Sequence, residues 1–262
     1  MKPIIHFTHG NGFPSSCYRQ LLQSLADEYD VNVIEKVGHN PDFPVGENWH
    51  TLVDEVIESI VEQSHNPVVA VGHSLGGILS FLAAVQRPEL IKAVVMIDSP
   101  VIGPIKSMLL KIAKKIRLID KVTPAERTRG RRTHWPDKEH LLRYLKSKPV
   151  FQTFTDACLQ DYIDYGLIKS NTGYDLAYDR QIEYLIYRTI PHMLPDYIGH
   201  LTCPCVMIYG NKSNVVDSFD LSHMRKQHGI RSVSMPGTHM LPFESPIELA
   251  KKIKLELEIM LS

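Results

Sequence analysis

Residues 68–77 read Val-Val-Ala-Val-Gly-His-Ser-Leu-Gly-Gly, and no other stretch constrains the fold as tightly. The apolar run Val68 to Val71 suits a strand covered on both faces. The segment 75–86 that follows carries the pattern of a helix. Between them Gly72-His73-Ser74-Leu75-Gly76-Gly77 places a serine with glycines two residues to either side. Strand, sharp turn and helix form the context in which G-x-S-x-G presents a nucleophile. The turn holds Ser74 in a strained conformation, and the glycines leave room for it. A helix starting at the serine aims its free N–H groups and positive end at a developing oxyanion. The competing reading, a Gly-Ser turn without chemistry, does not account for both flanking elements.

The same rhythm extends along the chain. Six short apolar segments, 4–9, 31–37, 68–72, 92–98, 204–209 and 230–235, read as strands. Helical patterns occupy 15–27, 48–64, 75–86, 216–227 and 245–261; in the second, Leu52, Val53, Val56, Ile57, Ile60 and Val61 form one stripe. Alternation of buried strands with helices predicts an α/β fold with a doubly wound, mainly parallel sheet. The rhythm breaks over 101–192, where no convincing strand is found and helical patterns at 105–118, 137–146, 155–168 and 178–190 are punctuated by prolines. A short helix at 194–201 then leads back to the sheet. The expected organisation is a core of 1–100 and 193–262 with a helical cap, 101–192, inserted into it.

Composition narrows the class. With 29 basic and 29 acidic residues, the overall charge points to neither nucleic acid nor membrane. The start, Met1-Lys2-Pro3, runs into too short an apolar stretch for a signal peptide. The longest apolar runs fall far below the roughly 18 residues of a membrane helix. Cys17, Cys158, Cys203 and Cys205 lack disulfide-framework spacing, and Cys203-Pro204-Cys205 reads as two small buried residues rather than a redox or metal pair. The 13 histidines show no ligand spacing, so neither a metal nor another cofactor is expected. The expectation is a cytoplasmic globule acting on a small molecule. One local bias stands out: Lys106 to Lys148 holds 14 Lys or Arg and only four acids. That excess reads first as a solvated face, and second as attraction for an anionic substrate or surface.

A serine needs a base. His239, in Met235-Pro236-Gly237-Thr238-His239-Met240, follows the last strand, on the sheet edge where the strand before Ser74 also ends. His9 and His73, beside motif glycines, read as structural. With these residues in place the chain resembles the α/β-hydrolase family over nearly its whole length. His9-Gly10-Asn11-Gly12 is similar to the family's oxyanion loop, Gly72 to Gly77 to its nucleophile elbow, and Gly237-Thr238-His239 with Pro242 and Pro246 to its histidine loop. Residues 131–188 resemble the cap of a bacterial subgroup of such hydrolases. The resemblance implies oxyanion donors at the backbone N–H groups of Asn11 and Leu75. The acid departs from the commonest pattern, because Gly210-Asn211-Lys212-Ser213 puts a serine at its usual position. Asp98, ending the strand after the nucleophile helix, is the first substitute and keeps the order Ser, Asp, His; Asp217 is the second, and a turn-capping role for Asp98 is the alternative.

Serine chemistry favours acyl transfer through a covalent acyl-enzyme. Ester hydrolysis is the expected reaction, since the family's epoxide- and halide-processing members carry aspartate at the elbow. The alternatives are a perhydrolase or acyltransferase on the same triad, and a ligand-binding protein of the same fold without turnover. Met108, Leu109, Ile112, Phe151, Phe154, Tyr162, Tyr165 and Tyr187 are candidates for an acyl pocket, although a cap's apolar residues more often pack its own core and base.

Overall fold

The apolar runs become strands in the computed structural model, which describes residues 2–262. These are β1 (Ile4–Thr8), β2 (Asp30–Val33), β3 (Val68–His73), β4 (Ile91–Ile97), β5 (His134–Trp135), β6 (Leu167–Ser170), β7 (Gly173–Leu176), β8 (Cys205–Gly210) and β9 (Arg231–Met235). The helices are α1 (Arg19–Ala26), α2 (His50–Gln63), α3 (Leu75–Gln86), α4 (Pro104–Lys115), α5 (Ile119–Val122), α6 (Ala125–Arg129), α7 (Lys138–Lys146), α8 (Pro149–Gln152), α9 (Asp156–Tyr165), α10 (Arg180–Arg188), α11 (Ser218–His228), α12 (Leu241–Glu244) and α13 (Pro246–Leu261).

Six strands form one sheet in the order β2-β1-β3-β4-β8-β9, and every neighbouring pair is parallel. The two-residue period of the strands sorts their side chains between two layers. Val69, Val71 and Val95 meet Leu21 and Leu25 of α1 and Ile253 of α13. Val68, Ala70, Val94 and Met96 meet Val56 of α2, Leu79 and Leu82 of α3 and Met224 of α11. Helices on both faces explain why these strands are apolar throughout. Each fully buried Leu or Val contributes about 1.5–3 kcal/mol. Helix α3 lies deepest, with its residues from Leu75 to Ala84 all buried.

Because the strands are parallel, β1, β3, β4, β8 and β9 all deliver their C-terminal ends to one edge. The chain turns one way from β1 to β2 and the other way to β3, so the topological switch lies between β1 and β3. That crevice is where open α/β sheets bind ligands. Strand β2 is shorter than its apolar run. Past Ile34 the backbone turns to other partners: Glu35 O accepts from Ser15 N–H, and Val37 N–H donates to the His9 ring.

Between β4 and β8 the chain leaves the sheet, and here the expectation of an all-helical segment is corrected. Strands β5, β7 and β6 form a small antiparallel sheet. Ser170 pairs with Gly173, so Asn171 and Thr172 make a two-residue hairpin loop. Strands of two to four residues give too few positions for a period to emerge. The polar Ser170-Asn171-Thr172-Gly173 cluster was the available signal. Of the candidate pocket residues, Phe151, Phe154 and Tyr162 are buried against Phe13 and Phe243, with Phe154 stacked on Phe243 at 4.5 Å. Tyr187 is half-buried, and Met108, Leu109, Ile112 and Tyr165 are exposed. Among the described residues no helix is long and apolar enough to cross a membrane.

Candidate active site

Ser74 occupies the turn between β3 and α3 with φ 54° and ψ −114°, outside the conformations an L-residue ordinarily adopts. Its N–H donates to Ile97 O at 2.9 Å, which ties the turn to β4. Close backbone approach makes the strained turn possible. A Cβ on Gly72 would lie 2.2 Å from the Gly76 carbonyl, and one on Gly76 would lie 2.0 Å from Thr8 O.

His239 comes from the loop after β9. Glu244 holds that loop, accepting from Thr238 N–H at 2.7 Å and from Thr238 Oγ1 at 2.5 Å. The loop brings His239 Nε2 to 3.1 Å from Ser74 Oγ. In the tautomer with a proton on Nδ1, the serine hydroxyl donates to Nε2. His239 Nδ1 lies 3.5 Å from Asp98 Oδ1 and has no hydrogen-bond partner. That gap is longer than a good hydrogen bond, and catalytic contacts often tighten only when substrate binds.

Asp98 is fully buried at the end of β4, with φ 47°. Its Oδ2 accepts from Gly210 N–H at 3.2 Å and its Oδ1 from Ser213 Oγ at 2.8 Å. Among the described residues His239 is the only basic group within ion-pair distance of it. Ser213, at the position where the resemblance leads one to expect an acid, thus donates to the carboxylate that lies beside the histidine. Asp217, the other candidate acid, caps α11 by accepting from Phe219 and Asp220 N–H and pairs with Lys106. It is not brought to His239.

His9 and His73 take structural positions. Burial pushes His9 down to about 4, and its Nε2 accepts from Val37 N–H while Nδ1 contacts Gly10 O. His73 is held well below the ordinary histidine range, chiefly by burial. Its Nε2 contacts the His239 carbonyl at 2.9 Å, so Nε2 is the donor and Nδ1 accepts from Tyr18 Oη at 2.8 Å. Tyr18 Oη in turn accepts from Gly10 N–H at 2.9 Å. One chain of hydrogen bonds thus links the Gly10 loop, the elbow and the histidine loop. Tyr18 and Glu244 were not singled out from sequence, and no local motif marks them; Ser213 stands out there only as a departure from the acid pattern.

Asn11 is buried in the loop after β1, where its side chain donates to Glu183 O at 3.0 Å. Its N–H meets no protein acceptor among the described residues. Leu75 N–H, first in α3, has no intrahelical partner. Above this loop Arg131 donates to Glu183 and, at 2.9 Å, to Tyr162 Oη. Burial raises the Glu183 carboxyl and Arg131 opposes that rise. The pair lies against Gly12, whose Cα could not carry a methyl without meeting both side chains.

Residues 7–252 match the profile of the alpha/beta hydrolase family. The chain belongs to that family. Its curated relatives are distant. A 2-(acetamidomethylene)succinate hydrolase of Mesorhizobium japonicum is 31% identical over 98 residues, which cover 37% of this chain and 35% of that protein. A karrikin insensitive 2 receptor of Petunia hybrida is 29% identical over 104 residues, 37% of this chain and 38% of the receptor. The chain thus spans little more than a third of these two relatives. An uncharacterized hydrolase of Bacillus subtilis, YugF, is 26% identical over 220 residues, 79% of this chain and 72% of that one. Among solved structures, E-2-(acetamidomethylene)succinate hydrolase superposes with a TM-score of 0.78 at 20% identity, covering 98% of this chain and 92% of that one. The thioesterase domain of a curacin biosynthetic pathway gives 0.71 at 18% identity, covering 97% and 91%. These likenesses concern the fold of the family.

Proposed function

We propose that this alpha/beta hydrolase cleaves carboxylic esters through an acyl-enzyme on Ser74. The observation that carries this reading is the Ser74 Oγ to His239 Nε2 contact of 3.1 Å at a strained strand–helix turn. Ser74 attacks the ester carbonyl while His239 Nε2 takes its proton. The negative charge forming on the carbonyl oxygen falls to the N–H groups of Asn11 and Leu75. Asp98 holds the Nδ1 proton and stabilises the imidazolium, and Ser213 and Gly210 N–H hold Asp98. His239 then protonates the leaving alcohol. It next takes a proton from water, whose oxygen attacks the acyl carbonyl; the acid product leaves and Ser74 regains its proton. Residues 101–192 act as the cap over this centre, with 1–100 and 193–262 as the catalytic core. One relative, a pimeloyl-[acyl-carrier protein] methyl ester esterase of Shewanella woodyi at 32% identity over 91 residues, is named for ester cleavage, which supports this reading.

A series of p-nitrophenyl esters of increasing acyl length tests the reaction and its size preference together. Ser74→Ala should lose on the order of 10³-fold or more in kcat while remaining folded. A fluorophosphonate should label Ser74 in the parent protein. Full activity in the alanine variant would end the reading. Competing alcohol separates hydrolysis from acyl transfer: an ester product in place of acid would move the assignment to an acyltransferase.

A further inference from the structure

Helix α4 wears its apolar side outward. On the side it turns toward the protein Ser107 and Ala113 are buried and Leu110 is half-buried. On its opposite side Ile105 is 73% exposed, and Met108, Leu109, Ile112 and Ile116 follow at 56%, 57%, 46% and 56%. Their spacing of three and four residues aligns them in one stripe. Phe219, 81% exposed at the start of α11, meets Ile105 across a shared groove and widens the stripe into a patch. Six large apolar side chains left open on two neighbouring helices are more than scattered surface hydrophobics, and a contiguous patch of this kind marks an interaction surface.

The unpaired charges along the stripe are of one sign. Between Ile105 and Leu118 there is no acidic residue. Lys111 and Lys115 run along one edge of the stripe, and Arg117 and Lys121 continue past its end. None of the four forms an ion pair among the described residues. The nearest carboxylates at the other end, Asp217 and Asp220, are both taken by Lys106. Pairing of two copies through this face would set the same cations against one another. A helix with an apolar stripe and an unpaired cationic border suits the boundary between acyl chains and anionic headgroups.

We propose that α4, with Phe219, docks this protein on the surface of an anionic lipid bilayer, lying in the interface rather than crossing it. This assignment is independent of the ester-hydrolase reading, because its test measures binding alone.

The test is flotation with vesicles of phosphatidylcholine and with vesicles of equimolar phosphatidylcholine and phosphatidylglycerol. The protein should float with the anionic vesicles, remain largely behind with the neutral ones, and detach as salt is raised. Lys111→Glu and Lys115→Glu should each weaken binding roughly fivefold or more. Met108→Glu with Ile112→Glu should abolish it. All these positions are exposed, so circular dichroism and thermal midpoint should match the parent. As a second readout, Ile112→Trp should give an emission blue shift on anionic vesicles only. No flotation with either vesicle, or flotation indifferent to these substitutions, would overturn the proposal. So would light scattering that shows a dimer which Met108→Glu with Ile112→Glu dissociates, since the stripe would then be covered by a second copy.

Discussion

The Ser213 hydroxyl donates to the buried carboxylate of Asp98, 115 residues away in sequence. If that pairing orients Asp98, Asp98→Asn should lower kcat by about 10²- to 10⁴-fold, while Asp217→Asn leaves it near the parent. Adding Ser213→Asp to Asp98→Asn should restore part of the loss, because it returns a carboxylate to the alternative side of the same imidazole. Steady-state kinetics on one ester decides all three variants; a double variant no faster than Asp98→Asn would count against Ser213 as the partner. Tyr18→Phe addresses the other network. It leaves Gly10 N–H and His73 Nδ1 without partners, so unfolding in urea should report a loss of about 1–3 kcal/mol. Ser74, His239 and Asp98 could be singled out from sequence because each follows a strand end that local pattern reveals. Tyr18 could not, nor could the contact of Ser213 with Asp98, because their partners lie on segments brought together only by the tertiary fold.

At the scale of elements, the junction of β1 with α3 has no spare room. Gly76→Ala would push a methyl onto Thr8 O, and the protein should lose at least about 3 kcal/mol by chemical denaturation. Gly229 ends α11 with φ 66° and open space around it, so Gly229→Ala should cost only the backbone strain of about 1–2 kcal/mol. Helix α2 carries a different liability. Burial raises the Glu55 carboxyl to about 7 from an ordinary 4.5, against the hydrogen bond it accepts from Gly38 N–H. A carboxyl raised in the folded state holds its proton more tightly there than in the unfolded chain. Its effect on stability is therefore most favourable below about 4.5 and is lost as pH rises to about 7. Glu55→Gln should raise the thermal midpoint at neutral pH and flatten its fall over that window, by up to about 3 kcal/mol. A parallel shift of the whole curve would refute the assignment. The long periodic elements were legible to within a few residues, α3 and β3 best of all, since their apolar pattern is unbroken. Strands β5 to β7 were not, because so few residues pair in each.

For the molecule as a whole, Arg131 and Glu183 pair within the inserted segment and pack against Gly12, while the Glu183 carbonyl accepts from the Asn11 side chain. Removing one partner leaves a buried charge, so Arg131→Leu alone should cost about 3–5 kcal/mol. Arg131→Leu with Glu183→Leu should recover much of that in a two-variant comparison of urea midpoints; equal losses for the single and the double would place the cost elsewhere. The parallel sheet has a further consequence, for the order in which the chain can be assembled. Strand β4 pairs with β3 on one side and with β8 on the other, and the entire insertion separates β4 from β8. On a ribosome the first half can collapse early, but β4 then presents an open edge of unpaired backbone groups, apolar above and below. That edge stays exposed to other nascent chains until β8 is synthesised. Closing so large a loop should also slow refolding from denaturant, since the entropy is lost before the β4–β8 ladder returns anything. During synthesis the insertion is a delay between two neighbouring strands of one sheet, β4 and β8.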